Sequence, residues 1–208
     1  MKKILLVDDH SVIRSGLRGL LSEVYPGCQP DEAENGAGAV DALEKTSYDL
    51  VILDIKMPDT DTLGLVQSIR SQHPATRLLI FSMNPENIYA KRFFKAGCHG
   101  FVSKEAPIEE IQKAITTVLG GKKYISETLA QLLADDSAGN IPVNPFEKLS
   151  AREFEIVSFI LLGKGVSEIG HLLNLRVSTI GTHKARLFKK LQVTNVVGLK
   201  ELATTYHL

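Results

Sequence analysis

The chain has 208 residues, 44% of them hydrophobic, with 24 basic and 24 acidic side chains and two cysteines. No apolar run approaches the roughly 18 residues that a membrane-spanning helix needs, and two cysteines are too few for a disulfide framework. The composition therefore predicts a cytoplasmic protein with reduced thiols, long enough for one large domain or two modest ones.

Short apolar runs alternate with amphipathic segments in the first part of the chain. Continuous runs of this kind are typical of strands buried on both faces, and the crossover helices of a parallel sheet space such strands a few tens of residues apart. We predict an α/β fold whose five parallel strands, with helices between them, lie near residues 3–8, 28–33, 49–54, 77–82 and 99–103.

Polar side chains follow four of these five runs. Asp8 and Asp9 end the first run, Asp54 ends the third, Ser82 ends the fourth and Lys104 follows the fifth. Because parallel strands joined by crossovers all leave the sheet at the same edge, we expect these side chains to meet in the crevice beyond that edge. Each is commonplace alone, as a solvated strand end, a turn residue or a surface lysine. Their joint spacing is what favours a functional site.

The residue types at this edge indicate phosphoryl-transfer chemistry. A carboxylate can attack a phosphoryl group and hold it as a mixed anhydride, and we assign that role to Asp54, which stands alone at the middle strand. Lys104 would supply a positive charge, and Ser82 a hydroxyl donor, to the phosphoryl oxygens. Carboxylates need a hard cation to approach a phosphate, so we predict Mg²⁺. Its expected ligands or water-holders are Asp8, Asp9, Asp54 and the backbone carbonyl of Lys56.

Other familiar phosphate-handling classes are disfavoured. A haloacid-dehalogenase-type phosphatase needs a second aspartate two residues after the nucleophile, and Lys56 stands there instead. No glycine-rich phosphate loop or dinucleotide motif follows the first strand. A turnover enzyme is therefore not expected.

The pattern changes after Gly120-Gly121. A short amphipathic stretch precedes a segment rich in Gly, Asn, Ser and Pro, which is typical of a linker. Residues 1–145 carry 15 basic and 19 acidic side chains, net −4, whereas residues 146–208 carry 9 and 5, net +4, so the second part is the candidate for nucleic-acid binding. The predicted organisation is a domain over residues 1–120, a linker with a short helix over 121–146, and a helical domain over 147–208.

The last 60 or so residues read as a compact helical unit. Ser150 and Glu153 have the spacing of a capping box, and a turn at Asn174-Leu175 separates a short helix from a longer basic one, which is the helix-turn-helix pattern. On a helical wheel, Ile180, Leu187 and Leu191 share the face expected to pack inward, and a hydrogen-bonded packing role is expected for His183. The predicted DNA contacts are Arg176, Ser178, Thr182, Lys184, Arg186, Lys189 and Lys190.

Several motifs resemble a known family. Val7-Asp8-Asp9-His10, Leu53-Asp54-Ile55-Lys56-Met57-Pro58, Phe81-Ser82 and Phe101-Val102-Ser103-Lys104 resemble the receiver domain of two-component response regulators. Leu149-Ser150-Ala151-Arg152-Glu153, Gly163, Glu168-Ile169, Thr179-Ile180-Gly181-Thr182-His183 and Lys190-Leu191 resemble the LuxR-type helix-turn-helix. Together these motifs span nearly all of the chain outside the linker.

The resemblance implies a flavodoxin-like sheet of strand order 2-1-3-4-5 and a bacterial transcription regulator. A histidine kinase would phosphorylate Asp54 with Mg²⁺, and Ser82 and Phe101 would act as the switch that follows. The active form would be a homodimer bound to promoter DNA, without a membrane partner. Its only reactions would be self-phosphorylation from a phosphodonor and slow autodephosphorylation. Met83 and Thr62 depart from the family, which usually has a small residue and a glycine at these positions.

The basic helix also departs from its family. Gly181 and Ala185 lie on the exposed face, where related proteins often carry base-reading lysines, and Val196 replaces a common arginine. Arg176 stands where a capping serine is usual, which leaves Ser178 as an alternative cap with a later helix start. These departures support an alternative hypothesis, in which the regulator acts mainly through protein-protein interaction with weak or atypical DNA readout.

Overall fold

The structure is a computed structural model that describes residues 2–57, 60–84, 86–137, 144–173, 175–206 and 208. The chain divides into two compact units, Met1–Ala134 and Asp135–Leu208. Within the described residues, no helix combines the length and the apolar character needed to cross a membrane.

A five-stranded parallel sheet forms the centre of the first unit. Its strands are β1 (Ile4–Val7), β2 (Asp31–Ala33), β3 (Leu50–Leu53), β4 (Arg77–Ser82) and β5 (Gly100–Ser103), in the order β2-β1-β3-β4-β5. This confirms the predicted fold class and strand order. β2 begins three residues later than predicted because Cys28 donates its amide to the Tyr25 carbonyl in the turn after the first helix, and Pro30 has no N–H to pair.

Helices cover both faces of the sheet. They are α1 (Ser11–Val24), α2 (Gly36–Lys45), α3 (Thr62–Gln72), α4 (Glu86–Ala96), α5 (Ile108–Leu119) and α6 (Glu127–Ser137). Alternate strand residues enter opposite cores, as the two-residue period of a strand requires. Leu5 and Val51 join a cluster that holds residues of α2, α3 and α4, whereas Leu6 and Ile52 join one that holds residues of α1 and α5. The polar residues that follow the strands are thereby left at one edge, between the two helical layers.

The segment after α5 packs back onto the first unit. Tyr124 forms a parallel bridge with Gly100 and donates its amide to the His99 carbonyl at 2.8 Å. A side chain at Gly100 would meet atoms of Leu79, Val118 and Tyr124 at 2.9–3.2 Å, so glycine is required for this close approach. Leu129, at the start of α6, is 3% exposed and belongs to the core on the α4 side. α6 is the short helix expected within residues 121–146.

The second unit is helical. After a 3₁₀ turn over Pro145–Lys148 come α7 (Ala151–Leu161), α8 (Val166–Leu172), α9 (Val177–Leu191) and α10 (Val196–Thr205). Ser150 and Glu153 form both hydrogen bonds of the predicted capping box. Residues 138–143 of the predicted linker and Asn174 of the predicted turn lie outside the described residues. The domain limits at residues 120 and 146 stay a prediction.

Candidate functional site

Three strands bring two carboxylates and one ammonium group together at the predicted edge of the sheet. The Nζ atom of Lys104 lies 2.6 Å from Asp8 Oδ2 and 2.8 Å from Asp54 Oδ2. All three side chains are at most 5% exposed. The parallel register explains the meeting, because the Asp54 amide continues the β1–β3 ladder to Val7 and the Lys104 amide continues the β4–β5 ladder to Ser82.

The charge state of Lys104 follows from these partners. Burial lowers the pKa of the Lys104 ammonium, but hydrogen bonding and Coulombic attraction to Asp54 and Asp8 outweigh that effect, so the net pKa is raised. Lys104 therefore stays protonated. One ammonium facing two buried carboxylates leaves an excess of negative charge in the pocket.

The donor set fits a divalent cation. Asp8, Asp9, His10 and Asp54 each offer one ligand atom, and these atoms all lie within 4.8 Å of one another. Asp54 Oδ1 accepts from the amides of Ile55 at 2.6 Å and Lys56 at 3.4 Å, which fixes the orientation of the carboxylate. Three carboxylate oxygens in one negative pocket suit the hard cation Mg²⁺. The role of the Lys56 carbonyl stays a prediction.

Ser82 and Phe101, the predicted switch residues, are both fully buried. Ser82 Oγ accepts from the backbone amide of Asn84 at 3.1 Å and from its side-chain amide at 3.0 Å. Phe101 lies in the core cluster on the α4 side of the sheet. Met83 is 61% exposed, so most of its bulk faces solvent. The phosphoryl contact of Ser82 and the movement of Phe101 stay predictions.

Two contacts near the pocket had not been expected from the sequence. The buried Arg14 donates to the Asp8 carbonyl at 2.6 Å and to Glu32 at 2.8 Å, which holds the end of β1 against the end of β2. Thr62, which replaces the family's glycine, is buried and donates its hydroxyl to the Ile55 carbonyl at 2.8 Å. The sequence indicates α1 only through the periodic hydrophobic residues of one helix face. That periodicity does not show that Arg14 turns inward.

In the second unit, α9 presents the faces that the helical wheel predicts. Ile180, Leu187 and Leu191 are buried, and the exposed residues include Ser178, Gly181, Thr182, Ala185, Arg186 and Lys189. The suggestion of a later helix start is wrong. α9 begins at Val177, Arg176 occupies the N-cap without a side-chain hydrogen bond, and Ser178 lies in the first turn.

Three further side chains of α9 have surroundings that differ from the sequence-based expectation. Lys190 donates to the buried Glu153 at 2.6 Å, and Lys184 is half-buried with Nζ 5.4 Å from the centre of the Phe188 ring. Nδ1 of His183 is buried and has no hydrogen-bond partner among the described residues, so the hydrogen bond expected of this histidine is not made at that atom. The DNA contacts assigned to Arg176, Lys184 and the rest stay predictions.

An acidic pocket at the carboxyl edge of a 2-1-3-4-5 parallel sheet, followed by a separate helix-turn-helix unit, defines a regulator of the receiver class. A family model described as response regulator receiver domain matches residues 4–116, and one described as bacterial regulatory proteins, luxR family, matches residues 147–203. The chain belongs to the response regulators that carry a LuxR-type DNA-binding domain.

Similar proteins cover the full length of the chain. Response regulator UvrY of Escherichia coli (strain K12) is 32% identical over 100% of this chain and 96% of its own length. Response regulator GacA of Pseudomonas aeruginosa is 31% identical over 99% of this chain and 97% of its own length. The structure of RcsB from Salmonella enterica serovar Typhimurium, bound to promoter rprA with phosphomimetic BeF3-, has a TM-score of 0.75 at 24% identity, covering 98% of each chain, and so shares the fold.

Proposed function

We propose that this response regulator is switched by phosphorylation of Asp54 and that phosphorylation controls its binding to promoter DNA. The phosphodonor would be a histidine kinase, and Asp8, Asp9, Asp54 and the Lys56 carbonyl would hold Mg²⁺. The observation that carries the proposal is the contact of Lys104 with both Asp54 and Asp8 in a pocket with excess negative charge. Catalysis beyond self-phosphorylation and slow autodephosphorylation is not part of the proposal.

The side chains divide the work of phosphoryl transfer. A carboxylate oxygen of Asp54 attacks phosphorus, the P–N bond to the kinase histidine breaks, and the released imidazole nitrogen takes up a proton. The amides of Ile55 and Lys56 keep the Asp54 carboxylate oriented, and Lys104 neutralises charge on the transferred group. Asp8, Asp9, Asp54 and the Lys56 carbonyl would hold Mg²⁺, which would supply the remaining positive charge.

The proposed switch gives the Ser82 hydroxyl a new partner. Its oxygen now accepts two hydrogen bonds from Asn84, and donation of the hydroxyl to a phosphoryl oxygen would pull Ser82 away from that turn. Phe101 packs in the core cluster that holds residues of α4, the helix that follows β4, so its reorientation would change that face of the domain. This change would favour a homodimer whose two α9 helices bind paired half-sites.

Intact-mass measurement after incubation with acetyl phosphate and Mg²⁺ tests the phosphoacceptor. The wild type gains the mass of one phosphoryl group, Asp54→Asn gains none, and Asp61→Asn, an exposed helix cap, behaves as wild type. Phosphorylation of Asp54→Asn to the same extent would contradict the assignment. A mobility-shift titration with promoter DNA then compares wild type and Asp54→Asn in the presence of the phosphodonor. Equal binding by both would remove the phosphorylation switch.

A second candidate function is regulation mainly through protein-protein interaction. It is supported by Lys190, whose ammonium is already held by Glu153, and by the small residues Gly181 and Ala185 on the exposed face of α9. The salt dependence of DNA binding distinguishes this candidate function from promoter binding. A DNA-binding protein loses affinity for a mixed-sequence duplex steeply as salt rises, and Lys189→Ala reduces the slope by about one if Lys189 contacts a phosphate. Absence of duplex binding at low salt would favour the alternative.

A further inference from the structure

His10 directs a nitrogen atom into the acidic pocket. Its Nδ1 lies 2.8 Å from Asp9 Oδ1 and 3.1 Å from Asp8 Oδ1. A ring nitrogen of His10 also belongs to the group of four potential ligand atoms, one of them from Asp54, that lie within 4.8 Å of one another. The pocket proposed above to hold Mg²⁺ through oxygen therefore has an imidazole at its rim.

The backbone holds His10 in this position. Its amide donates to Asp8 Oδ1 at 2.9 Å, and the residue is the N-cap of α1 with an extended backbone conformation. The His10 side chain makes no capping hydrogen bond to α1, and it is 64% exposed. Helix capping and core packing therefore make no use of the ring, whose Nδ1–H donates to the carboxylates of Asp8 and Asp9. Binding of a metal at Nδ1 would require the tautomer that carries the proton on Nε2.

Metal ions differ in how they use such a nitrogen. Mg²⁺ binds oxygen and retains its waters, so it gains little from an imidazole. Imidazole suits Co²⁺, Ni²⁺ and Zn²⁺, which bind mixed nitrogen and oxygen sites more tightly than Mg²⁺ does. A pocket of three carboxylates and one imidazole is consequently a better site for these ions than three carboxylates alone.

We propose that His10 is a specificity-determining residue of the cation site, which adds a nitrogen ligand for transition-metal dications and is a bystander when Mg²⁺ binds. The inference rests on the proposed function, because it assumes that Asp8, Asp9 and Asp54 form a cation site. It predicts that Co²⁺ competes with Mg²⁺ for the receiver pocket of this chain.

The test is calorimetric titration of the full-length protein with Co²⁺ and with Mg²⁺ at one fixed neutral pH. His10→Asn is the principal variant, because asparagine is a favoured N-cap residue and preserves the start of α1 while removing the imidazole. We expect His10→Asn to weaken Co²⁺ binding by about tenfold or more, because loss of even an outer-shell partner of a metal ligand costs about 10- to 100-fold, and to change Mg²⁺ affinity by less than about twofold. The visible absorption spectrum of bound Co²⁺ should shift with the loss of its nitrogen ligand.

Two further variants make the outcomes distinct. His171→Ala removes an exposed histidine of α8 and should leave both affinities unchanged, which excludes adventitious surface binding. Asp54→Asn should weaken the binding of both Co²⁺ and Mg²⁺. If His10→Asn leaves Co²⁺ affinity and spectrum unchanged while Mg²⁺ still binds the wild type, the role of His10 is wrong and the proposed function stands. If neither metal binds the wild type in the pocket, both proposals fail.

Discussion

Replacing Lys104 with methionine should destabilise the first unit strongly. The ammonium lies 2.6 and 2.8 Å from the carboxylates of Asp8 and Asp54, and each of the three side chains is at most 5% exposed. Removal of one partner from a buried ion pair leaves an uncompensated charge and costs about 3–5 kcal/mol. Methionine retains most of the apolar stem of lysine, so most of the effect is electrostatic and includes loss of the ammonium that lies 5.9 Å from the centre of the Phe81 ring. We expect the melting temperature to fall by roughly 10 °C or more.

The assay is thermal unfolding of the full-length protein in a chelator and then with increasing Mg²⁺. Lys113→Met, an exposed lysine of α5, is the control for loss of one positive charge. Because a bound dication replaces the missing charge, Mg²⁺ should raise the melting temperature of Lys104→Met more than that of the wild type. Equal melting temperatures of wild type and Lys104→Met in the chelator would refute the conclusion that this ion pair balances the pocket.

Three other substitutions test contacts elsewhere. Glu153→Gln should lower the free energy of unfolding of the second unit by about 1–2 kcal/mol, since it weakens a capping box and the pair with Lys190. Burial raises the pKa of Glu153, but hydrogen bonds from Lys190 and the N-cap outweigh burial, so the net pKa is lowered. The difference in unfolding free energy between wild type and Glu153→Gln should therefore shrink as pH falls below the ordinary value of 4.5. A pH-independent difference in urea unfolding would contradict this. Burial raises the pKa of Glu86, which accepts a hydrogen bond from Ser126 at 2.6 Å. The wild type should therefore lose stability relative to Glu86→Gln as pH rises from the ordinary value of 4.5. Parallel curves of melting temperature against pH for the two proteins would refute this prediction. Leu129→Ala should lower the free energy of unfolding, measured by calorimetry, by about 2–5 kcal/mol, whereas Ile125→Ala at an exposed position should lower it little. Equal effects of the two substitutions would show that α6 does not pack on the core.

Local patterns in the sequence were sufficient for the parallel sheet, the capping box at Ser150 and the inward face of α9. Each depends on hydrophobic period or on residues three or four positions apart, which the chain specifies before it packs. The meeting of Asp8, Asp54 and Lys104 at one edge also followed from the sequence, because crossover connections leave little freedom in where parallel strands end.

Only the tertiary structure decided which partners these side chains choose. His10 turns its ring toward Asp8 and Asp9, and Lys190 pairs with Glu153 across 37 positions of the chain. Side-chain rotamers and long-range pairs depend on which helices pack together, and no periodicity in the sequence encodes them. The strand pattern thus determined where a site forms, whereas packing determined which nitrogen and oxygen atoms face one another inside it.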